Sequence, residues 1–288
     1  MSSPTAPTEE SARDEEVLRV VVRRRPYLWV VYAVLAVILV AAGYSAATNQ
    51  RFGWGVVATY FLSSAIFKGL LMTLELTVVS MLFGIVLGVL LAMMAVSRTR
   101  VLSTVSRVYV WFFRGTPLLV QLLFWFNLAA LYPRLGLGIP GRDPLFSVGA
   151  NEIISPFVAA ILALSLHEAA YMAEIVRSGV IGVDRGQRQA ALALGMRPAR
   201  VMRRIVLPQA MRTIIPPTGN QTISMLKTSS LVSVIALSDL LYTAQSIYGI
   251  NYQVIPLLVV ASLWYLIVVS VLSVGQGFLE RRYGRGSV

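Results

Sequence analysis

Residues 69–96 read GLLMTLELTVVSMLFGIVLGVLLAMMAV, a run that carries a single charge, Glu75. This exceeds the ~20 apolar residues that a helix needs to cross the hydrocarbon core of a bilayer. Lipid offers no partner to a backbone N–H or C=O, so such a run must satisfy its own hydrogen bonds, as a helix does. Comparable runs recur at 27–47, 108–131, 156–176, 209–235 and 254–278. The chain is therefore expected to be an all-α integral membrane protein with about six transmembrane helices. Only 13% of its 288 residues are charged, against about a quarter in a soluble domain. Cysteine is absent and histidine occurs once. Disulfides and thiolate-bound metals are thereby excluded, and a metalloenzyme is disfavoured.

Six spans put both termini on one side. Twenty of the 25 Lys and Arg residues then share that side, at 13–25, 98–114, 177–212 and 281–285. The other side holds Arg51, Arg134 and Arg142, with Lys68 and Lys227 near it. Cytoplasmic loops carry the Lys/Arg excess, which places both termini in the cytoplasm. The same distribution accounts for most of the net charge of +12 without nucleic acid. No sequence repeat relates the two halves, which argues against an inverted-repeat transporter.

Residues 1–26 read as a disordered cytoplasmic tail, the first sixteen being polar and aperiodic. Residues 27–68 read as an extra N-terminal transmembrane helix and linker. The apolar run at 27–47 outlasts the ~7–15-residue core of a signal peptide, the other reading of this segment. Residues 69–288 form the remaining core, with a Gly/Pro-rich loop at 133–154 and a basic insert at 180–208.

That insert contains QAALALGMRPARVMRRIVLP, residues 189–208. Gly195 stands where a left-handed helix cap is needed, and Pro198 suits the first position of a second helix. Arg200, Arg203 and Arg204 share one face. One reading is a hairpin that binds anionic lipid headgroups. The other is a partner site, since apolar Leu194 and Met196 stand at a tip expected to be in water.

The stretch resembles the EAA signature of ABC-importer permeases: E-A-A, three residues, G, nine residues, I-x-L-P. Here it becomes Gln189-Ala190-Ala191, Gly195, Ile205, Leu207-Pro208, with every spacing kept and Gln in place of the usual Glu. FRGTPLLVQL (113–122), AAYMAEIVRSG (169–179) and LPQAMRTIIPPTGNQTISMLKTSSL (207–231) look like the polar amino acid permease branch. The resemblance runs from about residue 70 to 283 and implies a five-helix type I importer core in a bacterial cytoplasmic membrane. It also implies that residues 180–208 form a coupling loop, with Gln189, Ala190, Ala191, Leu194, Gly195, Met196, Ile205, Leu207 and Pro208 meeting a cytoplasmic ATPase. The implied partners are an ATP-binding subunit dimer, a second permease chain, an extracytoplasmic solute-binding protein and an amino acid. ATP and Mg would sit on the ATPase, with no cofactor on this chain.

Ionisable groups inside a span are costly and mark function or pairing. Glu168 lies near mid-depth of its span. His167, Glu168 and Tyr171, with Asn220, Ser224 and Thr228 along the fifth span, are expected to line the substrate path. There Glu168 would meet an ammonium or cationic side chain, or else a group on another span. Glu75 and Lys227 are expected to form a structural ion pair near the outer side, and Glu174 and Arg177 a local one. Thr116 is expected to cap a helix that begins at Pro117, so that the third span is broken at RGTP. No G-x-x-x-x-G-K-[ST] occurs, so the chain is not expected to hydrolyse ATP itself. The sequence thus points to a non-catalytic permease subunit of an ATP-driven importer. An ion-coupled secondary transporter using Glu75, Glu168 and Glu174 is the alternative, and a membrane scaffold a third.

Overall fold

The computed structural model describes residues 27–137 and 146–283. The tail expected at 1–26 lies outside the described residues. The chain divides into two units, residues 1–50 and 51–288. In the first, α1 (Tyr27–Thr48) is apolar on every side, and its side chains are exposed around the whole circumference. A helix without an amphipathic stripe has no face of its own to bury.

The second unit opens with α2 (Trp54–Phe61) and α3 (Ser64–Ala95). Residues 51–68 belong to this unit, so the core begins before the boundary at 69 that hydropathy suggests. The reason is packing against α13 (Val254–Tyr283): Phe61 stacks on Trp264 with ring centres 5.0 Å apart. Trp264 Nε1 also donates to the Phe61 carbonyl at 2.8 Å.

Next come α4 (Arg100–Gly115) and α5 (Leu118–Phe126), bent by 99° at the Thr116–Pro117 break. The break is where RGTP suggests it, but Thr116 does not cap α5. Its hydroxyl donates back to the Phe112 carbonyl at 2.9 Å, ending α4. A short α6 (Leu128–Leu131) follows. Part of the 133–154 loop then pairs as an antiparallel hairpin, β1 (Arg134–Leu137) with β2 (Phe146–Gly149), before α7 (Ala150–Ile153).

Helix α8 (Pro156–Ile181) is capped by Ser155, whose hydroxyl accepts from Val158 N at 3.3 Å, with Pro156 in the first turn. After α9 (Arg185–Ala193) and α10 (Pro198–Val201), a π-type turn over Met202–Val206 leads into α11 (Leu207–Thr228). A 3-10 stretch (Ser229–Ile235) closes what hydropathy reads as the fifth span. It is followed by α12 (Leu240–Asn251), in a stretch that hydropathy leaves between the fifth and sixth spans, and by α13.

Among the described residues, α1, α3, α8 and α13 are long and apolar enough to cross a membrane. The bent pair α4–α5 and the pair formed by Pro198–Ile235 with α12 raise the number to six if each is one span. At the centre α3 runs along α8, and close approach depends on glycines: Gly84 lies against Glu168, and Gly88 against Met172 and the backbone of Ala169 and Ala173. A Cβ on Gly84 would stand 2.6 Å from Glu168 Cγ. Without a hydrophobic force between helices in lipid, such backbone proximity and the dispersion contacts it allows hold the pair. Leu118, Leu122, Leu164, Met225 and Val232 gather α5, α8, α11 and the 3-10 stretch into the same core.

Candidate functional site

Two places gather the residues that the sequence singles out: a cavity within the helix bundle, and the hairpin of α9 and α10.

The cavity measures about 250 Å³ and is lined by Leu118, His167, Glu168, Tyr171, Gln221, Ser224, Met225 and Thr228. Five of these were expected on the substrate path. On α8, Tyr171 follows Glu168 by three residues and His167 by four, so the three share one side of the helix. Glu168 is 1% exposed and packs against Gly84, in the space that a side chain there would fill. Its Oε2 accepts from Gln221 Nε2 at 3.0 Å, whereas its Oε1 is buried without a partner. An unmet buried carboxylate oxygen is costly, and a bound donor relieves that cost. The His167 ring lies 5.1 Å from that of Tyr171, and its Nδ1 is 3.4 Å from Gln121 Nε2.

Asn220 does not join this group. It is exposed, and its neighbour Gln221 takes the place expected of it. One residue of helix is a turn of about 100°, so the file on α11 runs through 221, 224 and 228 rather than through 220. Spacing from Ser224 allowed either choice; only the position of α8 beside α11 selects between them.

The expected pair of Glu75 and Lys227 is not formed. Both residues are exposed, and no ion pair joins them among the described residues. Glu75 falls on the side of α3 opposite Thr73, Leu76, Thr77 and Ser80, which are the residues turned inward. Depth along a span, judged by residue count, carries no information about the direction a side chain takes. Glu174 and Arg177 do pair, one turn apart on α8.

In the hairpin, α9 is capped by Asp184, which accepts from Gln187 N at 3.0 Å. Gly195 has φ of +77°, and the chain reverses there through Gly195 N to Leu192 O at 3.0 Å and Met196 N to Ala191 O at 3.2 Å. This is the Schellman pattern, and a residue with a Cβ is strained at that φ. Ala191, Val201 and Val206 are buried together, with Met196 and Ile205 packed against them. Met196 is thus not an exposed tip residue: as the residue after Gly195 it folds back onto Ala191. The most exposed apolar residue of the tip is Leu194, 83% accessible, with Leu192 less so and Gln189, Ala190 and Gly195 also on the surface. Leu207 and Pro208 open α11, and Gln209 Nε2 donates across to Gln187 Oε1 at 2.6 Å.

Among the described residues no group of His, Asp and Glu is arranged to hold a metal ion.

A family model described as "Binding-protein-dependent transport system inner membrane component" matches residues 84–285. The chain is 45% identical to the arginine transport system permease protein ArgU of Corynebacterium glutamicum, over 92% of this chain and 82% of that one. It is 37% identical to the L-cystine transport system permease protein TcyB of Bacillus subtilis, over 75% and 86%. Among solved structures, an amino acid ABC transporter crystallised with histidines has a chain 35% identical to this one. It matches at a TM-score of 0.65, covering 76% of this chain and 94% of that one.

Proposed function

We propose that this chain, which belongs to the binding-protein-dependent transport system inner membrane components, carries an amino acid across the membrane through the Glu168 cavity. It is a non-catalytic subunit. The carrying observation is the unpartnered Oε1 of a carboxylate that is otherwise fully enclosed beside an open cavity. That arrangement suits an ammonium or guanidinium group, because a charge-assisted hydrogen bond satisfies both partners. Relatives named for arginine transport agree with a cationic amino acid. The size is consistent too: the cavity is smaller than the ~300–1,000 Å³ typical of drug-sized ligands.

Energy comes from a separate ATPase dimer that binds ATP and Mg. It docks on the hairpin through Leu194, Gln189, Ala190 and the Gly195 turn, while Ala191, Ile205, Met196, Leu207 and Pro208 hold the hairpin's shape. Two permease chains, equal or different, form the path, and an external binding protein delivers the solute. Both termini lie in the cytoplasm, and the core from residue 51 onward alternates between access to either side. Residues 1–26 and α1 are an addition to that core.

The test is ATP-driven uptake of radiolabelled arginine by the reconstituted complex of permease chains and ATPase with the binding protein. Glu168→Gln should cripple uptake or change its selectivity, and Leu194→Asp should detach the ATPase. Full uptake by Glu168→Gln with unchanged selectivity would overturn the cavity's role. Gradient-driven uptake by the permease without any ATPase would overturn the coupling.

A further inference from the structure

An α-amino acid carries two charges, and the cavity wall answers only one. Glu168 suits the cation; no Lys or Arg lines the cavity to receive the carboxylate. One stands at its edge. The Cζ of Arg114 lies 5.1 Å from the centre of the Tyr171 ring, and Tyr171 is a lining residue. Leu118, four residues after Arg114 and across the 99° bend, lines the cavity as well. Arg114 is thus close to two lining residues, one along the chain and one through space.

The guanidinium is uncommitted. Among the described residues it makes no hydrogen bond or ion pair and rests only on the ring face. Glu174 is within its electrostatic reach but is already paired with Arg177. The bend that positions Arg114 is held firmly. Gln121 Nε2 lies 3.0 Å from the Phe113 carbonyl, 3.1 Å from that of Thr116 and 2.7 Å from Thr116 Oγ1. Tyr171 follows Glu168 by three residues, about 4.5 Å of helix rise. Glu168 thus lines the cavity, and the exposed Arg114 guanidinium rests on Tyr171, a lining residue one turn from Glu168 on the same helix.

We propose that Arg114 receives the α-carboxylate of the transported solute, so that the cavity takes amino acids with a free carboxylate and reads both of their charges. This rests on the reading of the Glu168 cavity as the solute site. The guanidinium fork matches a carboxylate in a bidentate way that no other side chain does. An exposed cation resting on a half-buried ring is held weakly by comparison with a forked ion pair, so its transfer from Tyr171 to a carboxylate is favourable. Tyr171 acts as the resting place that keeps the guanidinium at the cavity's edge when no solute is bound.

The experiment compares L-arginine with agmatine, which is arginine without its carboxylate. Binding is measured by calorimetry to the permease–ATPase complex in the absence of the binding protein, so that only the cavity selects. The unmodified complex should prefer arginine by about 10–100-fold, the span of hydrogen bonds to a charged group. Arg114→Gln should lower arginine's affinity to that of agmatine and leave agmatine's unchanged. Arg114→Lys, which keeps the charge and loses the fork, should retain part of the preference. Equal binding of both compounds by the unmodified complex would overturn the proposal. So would an equal loss of both in Arg114→Gln, the outcome of a purely structural role. Failure of the parent reading looks different: neither compound would bind, and Glu168→Gln would change nothing.

Discussion

Glu168 and Asp239 are both acidic, both enclosed by apolar helices and both essentially inaccessible, at 1% and 0%. They differ in what their oxygens do. Asp239 caps α12: its Oδ1 accepts from Tyr242 N at 2.8 Å, and its Oδ2 faces the Tyr265 hydroxyl at 3.5 Å. Around it Thr73 accepts from Leu240 N at 3.0 Å and donates to the Gly69 carbonyl at 3.2 Å, so the α3–α12 contact is stitched by polar groups. Glu168 spends one oxygen on Gln221 and leaves the other without a partner beside a cavity. Burial of a carboxylate therefore does not mark function by itself. An unpartnered acceptor on a residue that lines a cavity is what sets Glu168 apart, since the desolvation cost of such an oxygen falls when a donor reaches it.

The comparison is sharpened most by Glu168→Gln. Uptake should fall by about 100-fold, the scale of a lost charge-assisted contact, while thermal unfolding of the purified complex stays where it was. A parallel loss of stability would make Glu168 a second Asp239. Gly84→Val comes next. A Cβ there meets Glu168 Cγ at 2.6 Å, and forcing it in should cost about 1–3 kcal/mol by overpacking. The α3–α8 pair would separate and uptake would fall with it, as read from unfolding temperature and transport on the same preparation.

Asp239→Ala should behave in the opposite sense to Glu168→Gln. Loss of the cap and its partners should cost about 1–2 kcal/mol of stability, yet the folded fraction should bind solute with unchanged affinity. A specific loss of affinity would dissolve the contrast between the two sites. The smallest effect is expected for Gly195→Ala, where a Cβ at φ of +77° costs about 1 kcal/mol. It should weaken ATPase association in pull-downs without touching solute binding.

The hairpin was legible in the sequence to a degree that the cavity was not. Gly195, Pro198 and the capping pattern determine local backbone geometry, and local geometry follows from residues a few positions apart. Only the inward turn of Met196 went unread, because it depends on Val201 and Val206 closing over Ala191. In the cavity, Glu168 was conspicuous as a charge in an apolar span. Its partner Gln221 was not, since Asn220 fitted the same spacing, and a sequence separation of 53 between 168 and 221 says nothing of which helix faces meet. The expectation for Glu75 and Lys227 failed for the same cause: equal depth is not shared direction.

What the sequence determined by itself was set by lipid and by short-range chemistry. The apolar runs must be helices, the break at RGTP must interrupt one, and glycine must turn the hairpin. The tertiary structure alone decided that residues 51–68 join the core through Phe61 and Trp264, that α12 stands apart behind Asp239, and that Glu168 keeps one oxygen free. Each of these depends on the rotation of one helix about its axis relative to another. In a membrane that rotation is set by where small residues such as Gly84 let two backbones approach. It is a property of pairs of helices, and it is not written in either helix alone.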